Sequence, residues 1–325
     1  MRRLAFIVTF LSVLYSAYWF VGQRAVVAGS NAAISQARSD GWQVEYADMY
    51  TRGFPSRFDT TLEDVSFGAP NQSWTWSGPL LRIFALSYQP NKVIVALPSS
   101  QQLEIAGQTL DIATQSAKAS AAVVPGIDLA FDTATVEIDE VYVESNAGWV
   151  LKLDHMLSAT RRQDESVSSY DIYSTIDQIM VPSALAQQID PTSLLGPHIN
   201  WIEFDGAVKL DQVLDRRLVT VPMLEQMTIN DAKLRWGAVT ITAKGMIDID
   251  PSGVPEGRLV FQSAQWQEMI EIMVAAGLVD PDAAPTVMRM AGLMASNGVL
   301  SLPLVFQDGA MTLGPLPIGP APRFR

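Results

Sequence analysis

The chain contains no cysteine. That excludes disulfides, thiol catalysis, iron–sulfur clusters and cysteine-based zinc sites. Histidine is almost as scarce: His155 and His198 are the only two, which leaves metal chemistry few ligands. Basic residues are outnumbered. Net charge is −12, and without Arg2, Arg3 and Arg24 the remainder carries −15. A polyanionic body repels nucleic acid and offers no basic stripe to phosphates, so no nucleic-acid partner is expected. Charge gives it no hold on an anionic membrane surface either. There is no Gly-x-Ser-x-Gly elbow, no glycine-rich phosphate loop, no internal repeat and no low-complexity segment.

What is present is apolar residue in quantity. Of 325 residues, 48% are hydrophobic and 17% charged, enough to bury a sizeable core and to argue against wholesale disorder. The first apolar block is an address. After Met1-Arg2-Arg3, residues 4–22 (LAFIVTFLSVLYSAYWFVG) carry no charge, and as a helix they reach about 28 Å, close to the roughly 30 Å hydrocarbon core. Arg2 and Arg3 mark the cytoplasmic side, Arg24 the other, and Tyr15, Tyr18 and Trp19 cluster toward the far end, where aromatic rings favour the interface. The expectation is a single-pass anchor in a bacterial inner membrane, N-terminus in the cytoplasm and body in the periplasm, with the membrane as its partner through residues 4–22. The rival reading is a cleaved signal peptide ending at Val26-Val27-Ala28. Its apolar run is long for that role, and Arg24 stands between run and cleavage site.

The body reads as strands. In 201–211 Ile202, Phe204, Val208 and Leu210 alternate with Glu203, Asp205, Lys209 and Asp211. In 241–250 Ile241, Ala243, Ile247 and Ile249 share one face, and in 299–306 Leu300, Leu302, Leu304 and Phe306 do. This is the period of an antiparallel sheet with one greasy and one wet face. Turn chemistry at Gln89-Pro90-Asn91, Ala106-Gly107-Gln108, Asn146-Ala147-Gly148, Pro251-Ser252-Gly253 and Asp308-Gly309 spaces the windows as successive hairpins. Helical spacing is confined to a stem over 23–40 continuing the anchor, a short segment from Pro182, and two C-terminal helices over about 264–278 and 281–296. The expected fold is mainly β (β-rich α+β): a long antiparallel, strongly curved sheet, half-barrel or scoop, with an N-terminal membrane-anchor helix and a C-terminal helix pair. Its β regions are expected at 41–180 and 201–325, joined through the Pro- and Gly-rich stretch 181–200.

No catalytic site, metal site or cofactor is expected. Asp248, Asp250, Ser252 and Gly253 imitate the first half of a calcium loop, but the twelfth position, which needs a bidentate glutamate, is Leu259. The histidines are far apart, and Asp139-Glu140 reads as a β-bulge because neighbours in a strand point to opposite faces. The apolar face named by alternation (Ile202, Phe204, Val208, Ile247, Ile249, Leu302 and Leu304) is the candidate lipid contact.

The stretch GFPSRFD, 53–59, holds Gly53, Pro55, Arg57 and Asp59 between two strand windows. It reads as a fold corner, with Arg57 and Asp59 on one face of the outgoing strand. Together with W-x-W-x-G-P-L-L-R-I over 74–83 and L-x-L-P-L-x-F-x-D-G…L-G-P-L-P-I-G-x-A-P over 300–322 it resembles the alphaproteobacterial domain-of-unknown-function family 2125 along nearly the whole chain. More loosely, anchor, hairpins and terminal strand pair are similar to AsmA-like envelope proteins. That similarity implies a trough with an apolar inner face, while this length makes a scoop rather than a bridge. Three functions follow: an anchored envelope protein that binds lipid or another apolar envelope molecule, a non-enzymatic structural or protein-interaction scaffold with a closed β core, and, least supported, a hydrolase.

Overall fold

The computed structural model describes residues 1–324 and is mainly β: eighteen strands, all paired antiparallel, and four helices among the described residues. The chain divides into two compact units. The first holds residues 1–123 and 142–148, the second residues 124–141 and everything from 149 onward.

In the first unit, α1 (Arg2–Ser39) is one uninterrupted helix. The strands are β1 (Gln43–Glu45), β2 (Asp48–Arg52), β3 (Arg57–Gly68), β4 (Trp74–Leu86), β5 (Gln89–Ala96), β6 (Ser100–Ile105), β7 (Gln108–Ala113), β8 (Ser116–Val123) and the end of β9 (Phe131–Ser145). β3 is central. It takes β2 and β1 in turn along one edge and β4 along the other. β4 splits its far edge between β5 and β6, after which β8 pairs with β5, β7 with β6, and Tyr142–Ser145 of β9 with β7. The register places Phe58 opposite Ala85, Thr60 opposite Ile83, Leu62 opposite Leu81 and Phe67 opposite Trp76. Directly opposed residues share a face, so this pairing builds one apolar face on which α1 lies. The helix meets it with Trp19, Gly22, Val26, Ser30, Ile34 and Ala37, buried or half-buried at spacings of three and four.

The second unit is a meander. The first part of β9 is followed by β10 (Val150–Arg162), β11 (Ser169–Met180), α2 (Ser183–Ile189), β12 (His198–Leu210), β13 (Leu224–Trp236), β14 (Val239–Ile249) and β15 (Pro255–Ser263). Then come α3 (Trp266–Ala275), α4 (Ala284–Met294), β16 (Leu300–Gln307), β17 (Ala310–Leu313) and β18 (Leu316–Pro320). From β10 to β18 each strand pairs with the next. The alternation read from sequence becomes rows across the sheet: Ile176, Ile202, Leu234 and Ile241 in one, and Tyr170, Val208, Met227 and Ile247 in another. At the Asp308-Gly309 turn both residues have positive φ (53° and 73°), the geometry a two-residue hairpin requires. Gly245, at φ 147°, lets the β15 backbone approach closely: a Cβ there would sit 2.1 Å from the Arg258 carbonyl oxygen.

Three buried clusters hold this unit. Val181, Leu195, Trp236, Val239 and Ile272 form one; Trp266, Ile270, Ala291 and Leu300 a second; Ile247, Leu259 and Phe306 a third. Burying a side chain such as Ile247, 2% exposed, contributes roughly 1.5–3 kcal/mol. The stretch 181–200, expected as a joint between domains, lies inside this unit. The buried carboxylate of Asp190 accepts the backbone N–H of Leu194 (3.0 Å) and of Leu195 (2.7 Å), and the Trp236 indole N–H bonds the Gly196 carbonyl (2.9 Å). Its prolines and glycines turn the chain so that Val181 and Leu195 can enter a core. They do not separate two cores.

Candidate functional site

GFPSRFD is the corner between β2 and β3, and α1 docks on it. Trp19 is 4% exposed. Its ring stacks on Phe58 (centroids 6.0 Å apart) and meets Phe54 edge-on (5.4 Å), while its N–H donates to the Arg57 carbonyl (2.9 Å). Phe20 stacks on Phe54 at 5.9 Å. Gly22 is where helix and sheet touch: a Cβ there would lie 2.6 Å from the Phe58 ring. Gln23 donates its amide to the Thr51 carbonyl (3.1 Å). The neighbouring β4–β5 turn joins the same contact. Tyr18 OH donates to the Ser87 carbonyl (2.6 Å), Tyr15 OH hydrogen-bonds Ser87 Oγ (3.0 Å), and the Ser87 amide donates to the Ser56 carbonyl (2.9 Å). Of the residues singled out at this corner, Gly53 takes φ 108°, Pro55 follows a cis peptide bond, and Arg57 pairs with Asp59 at 3.0 Å.

Farther along α1 the helix and the sheet part. Between Ser30, Ala33 and Ile34 on the helix and Leu62, Val65, Phe67, Trp76, Leu81 and Ile83 on the sheet lies a cleft of about 400 Å³. This is within the roughly 300–1,000 Å³ range of small-molecule sites. Its lining is almost wholly apolar. Ser30 supplies the only side-chain hydroxyl, and the Trp76 N–H is already committed to Gln101 Oε1 at 2.6 Å. At one end the Arg38 guanidinium fastens helix to strand by two bonds to the Val44 carbonyl (2.9 and 2.7 Å), and Trp42, Phe67 and Trp74 pack ring on ring beside it. A site of this kind, without a charge and with a single side-chain hydroxyl, suits a hydrocarbon chain better than a polar substrate.

The apolar residues named from the sequence all lie in the second unit. Ile247 and Ile249 are buried; Leu302 packs on the cluster around Trp266 and Leu304 on the cluster around Ile247. Ile202, Phe204 and Val208 share their face but are only half-buried, and they lie outside the three buried clusters. The opposite face is wet and charged. Lys233 pairs with Glu203 (3.1 Å) and Asp231 (2.6 Å), which hold its ammonium above the usual lysine range, and Lys233 in turn holds Asp231 below the carboxylate range. Arg161 and Gln163 do the same to the Asp171 carboxyl.

The candidate chemical groups are dispersed. His155 Nδ1 meets Asp139 (2.8 Å) across β9 and β10, with Glu140 beside it at φ 48° in a local irregularity of the strand. Asp250 caps its own hairpin, accepting the Ser252 and Val254 amides and the Ser252 hydroxyl, while Asp248 accepts the Gln226 amide (2.7 Å). Among the described residues no three His, Asp or Glu side chains converge as metal ligands. The polar depression around Asp64, Ser77, Gln101 and Asp111 is open, and Asp111 is bonded to Gln102 (2.9 Å).

A family model described as "Uncharacterized protein conserved in bacteria (DUF2125)" matches residues 19–322, which takes in the Trp19 dock, the GFPSRFD corner, the cleft and the terminal hairpins. The chain belongs to this family. No curated protein and no solved structure matches it. The match begins inside α1 and runs through corner and sheet, and it brings no assigned catalytic or binding residue. The cleft was missed at the sequence level because its walls come from α1 and from strands thirty to sixty residues later. The only local signal was the row of small or apolar residues Gly22, Val26, Ser30, Ala33 and Ile34 continuing past the apolar run.

Proposed function

We propose that this is a bacterial envelope protein, anchored in the inner membrane by the first half of α1, that holds a lipid acyl chain in the cleft between the second half of α1 and the sheet of the first unit. The observation that carries the reading is the lining of that cleft: about 400 Å³ walled by apolar side chains, with no charged group and the Ser30 hydroxyl as its single side-chain hydroxyl. Support for an uncleaved anchor comes from the dock. A helix long and apolar enough to cross a membrane continues without a break into the segment that packs on the body, so cleavage after Ala28 would strip Trp19 from Phe54 and Phe58. The looser likeness to AsmA-like envelope proteins points the same way. The reading is non-enzymatic, with the body on the periplasmic side.

A second reading, a closed scaffold that meets another envelope protein, is favoured by the burial of Ile247 and Ile249 and the packing of half-buried Leu302 and Leu304 on the second unit's clusters. Native mass spectrometry of the full chain with stepwise collisional activation separates the two. On the lipid reading one phospholipid-mass adduct outlasts detergent and annular lipid, and Ala33→Trp, which fills the cleft from its rim, removes it. An adduct that survives Ala33→Trp unchanged, or a wild-type protein without one, would favour the scaffold.

A further inference from the structure

The apolar run and the body overlap along α1. The first contact of the body with the helix is at Tyr15, and it continues through Tyr18, Trp19, Phe20 and Gly22, all within the apolar stretch 4–22. Residues 2–14, ahead of that contact, extend only about 20 Å as a helix, against a hydrocarbon core of roughly 30 Å. The missing depth, on the order of 10 Å, coincides with the rise from Tyr15 to Gly22, also about 10 Å. Whatever the protein holds against those residues must therefore lie at the depth of the outer leaflet.

Two turns occupy that position, and their exposed residues suit it. Phe54, at the tip of the β2–β3 corner, is 53% exposed although it stacks on Trp19 and Phe20; Tyr88, at the tip of the β4–β5 hairpin, is 64% exposed beside a fully buried Ser87. Tyr15 and Tyr18 each bond Ser87 through the hydroxyl while remaining 38% and 49% exposed. Two large exposed aromatics on adjacent turns, continuous with a membrane-spanning helix, are what an interfacial aromatic belt requires.

We infer that the Phe54-Pro55 and Ser87-Tyr88 turns are inserted into the periplasmic leaflet of the bilayer and that the first unit sits on the membrane through them. The occupant of this surface is the lipid interface itself. The inference rests on the anchor reading above but not on the acyl-chain cleft.

The absence of cysteine makes the test direct. Single variants Phe54→Cys, Tyr88→Cys, Leu11→Cys and Ser73→Cys of the full chain, each labelled with an environment-sensitive fluorophore, are placed in phosphatidylethanolamine–phosphatidylglycerol vesicles carrying doxyl-labelled lipids. Leu11 reports the middle of the anchor. Ser73, exposed in the turn between β3 and β4, reports water. The expected result is blue-shifted emission from positions 54 and 88, quenched most by shallow doxyl groups, from 11 quenched most by deep ones, and none from 73. Quenching at 11 with 54 and 88 matching 73 would overturn the inference while leaving the anchor intact. Failure at 11 as well would overturn the anchor reading and the inference with it. Because Tyr88 does not stack on the helix, its variant keeps the test readable if Phe54→Cys disturbs the corner.

Discussion

Replacing Trp19 with alanine isolates the contact that joins anchor to body. If the indole were released into water, the cost would be about 3–5 kcal/mol, as for other buried tryptophans. On the anchor reading the helix remains in the bilayer when it lifts off, so the released ring exchanges protein for lipid and the hydrophobic part of that figure largely cancels. What remains is specific: two aromatic pairs, with Phe54 and Phe58, at about 0.5–1.5 kcal/mol each, and the N–H donated to the Arg57 carbonyl at about 1 kcal/mol. The sum, about 2–4 kcal/mol, shifts the docking equilibrium roughly 30- to 700-fold. Thr60 offers the readout. It is 3% exposed, on the face between Phe58, which touches Gly22, and Leu62, which lines the cleft under Ser30 and Ile34. A Thr60→Cys thiol, alone in the chain, is modified only when the helix lifts, so its maleimide labelling rate in vesicles should rise by that factor in Trp19→Ala. It should rise several-fold in Trp19→Phe, which keeps most of the stacking and loses the hydrogen bond. A labelling rate unchanged by Trp19→Ala would refute the dock.

Gly245→Ala should cost about 1–3 kcal/mol for the forced backbone conformation, and differential scanning calorimetry should find it as a lower Tm of the second unit's transition; an unchanged Tm would mean that β15 moves aside freely. Asp171 is held below the usual carboxylate range by Arg161 and Gln163, so its ion pair stabilises the fold fully above about pH 4 and fades as pH falls through the depressed value. Melting curves from pH 7 down to pH 2 should therefore fall less steeply at the acid end in Asp171→Asn than in wild type, and parallel curves would count against the pair.

The legible part of this protein was its local part. Alternation at Ile202, Phe204 and Val208 fixed a strand face because the period of two is written in consecutive residues, and Asp308-Gly309 announced its turn by its own chemistry. Trp19 was read as an interfacial ring because hydropathy sees only the helix it belongs to; its partners Phe54 and Phe58 come from a hairpin more than thirty residues later. Burial of Ile247 and Leu304 within the second unit was equally invisible, since alternation names a greasy face without saying what covers it. The division of the chain was misplaced for a related reason. Pro182, Gly196 and Pro197 mark changes of direction, which a core can use as readily as a linker can. The real division runs through β9, a continuous strand with no break in composition.

The position of the dock in the chain has a consequence for biogenesis. Every partner described for α1, from Val44 to Ser87, follows it within the first third of the sequence. On the anchor reading proposed above, the helix emerges first and stays in the membrane while β2, β3 and β4 are delivered beside it, a template on which the earliest hairpins condense. The apolar face of β3 and β4 is thus covered as it appears, before the second unit follows. The last strand of the first unit, the end of β9 at Tyr142–Ser145, closes against β7 some fifty residues later. Helix docking and hairpin folding are then one event in time, and a chain that lost its first helix would present that apolar surface bare.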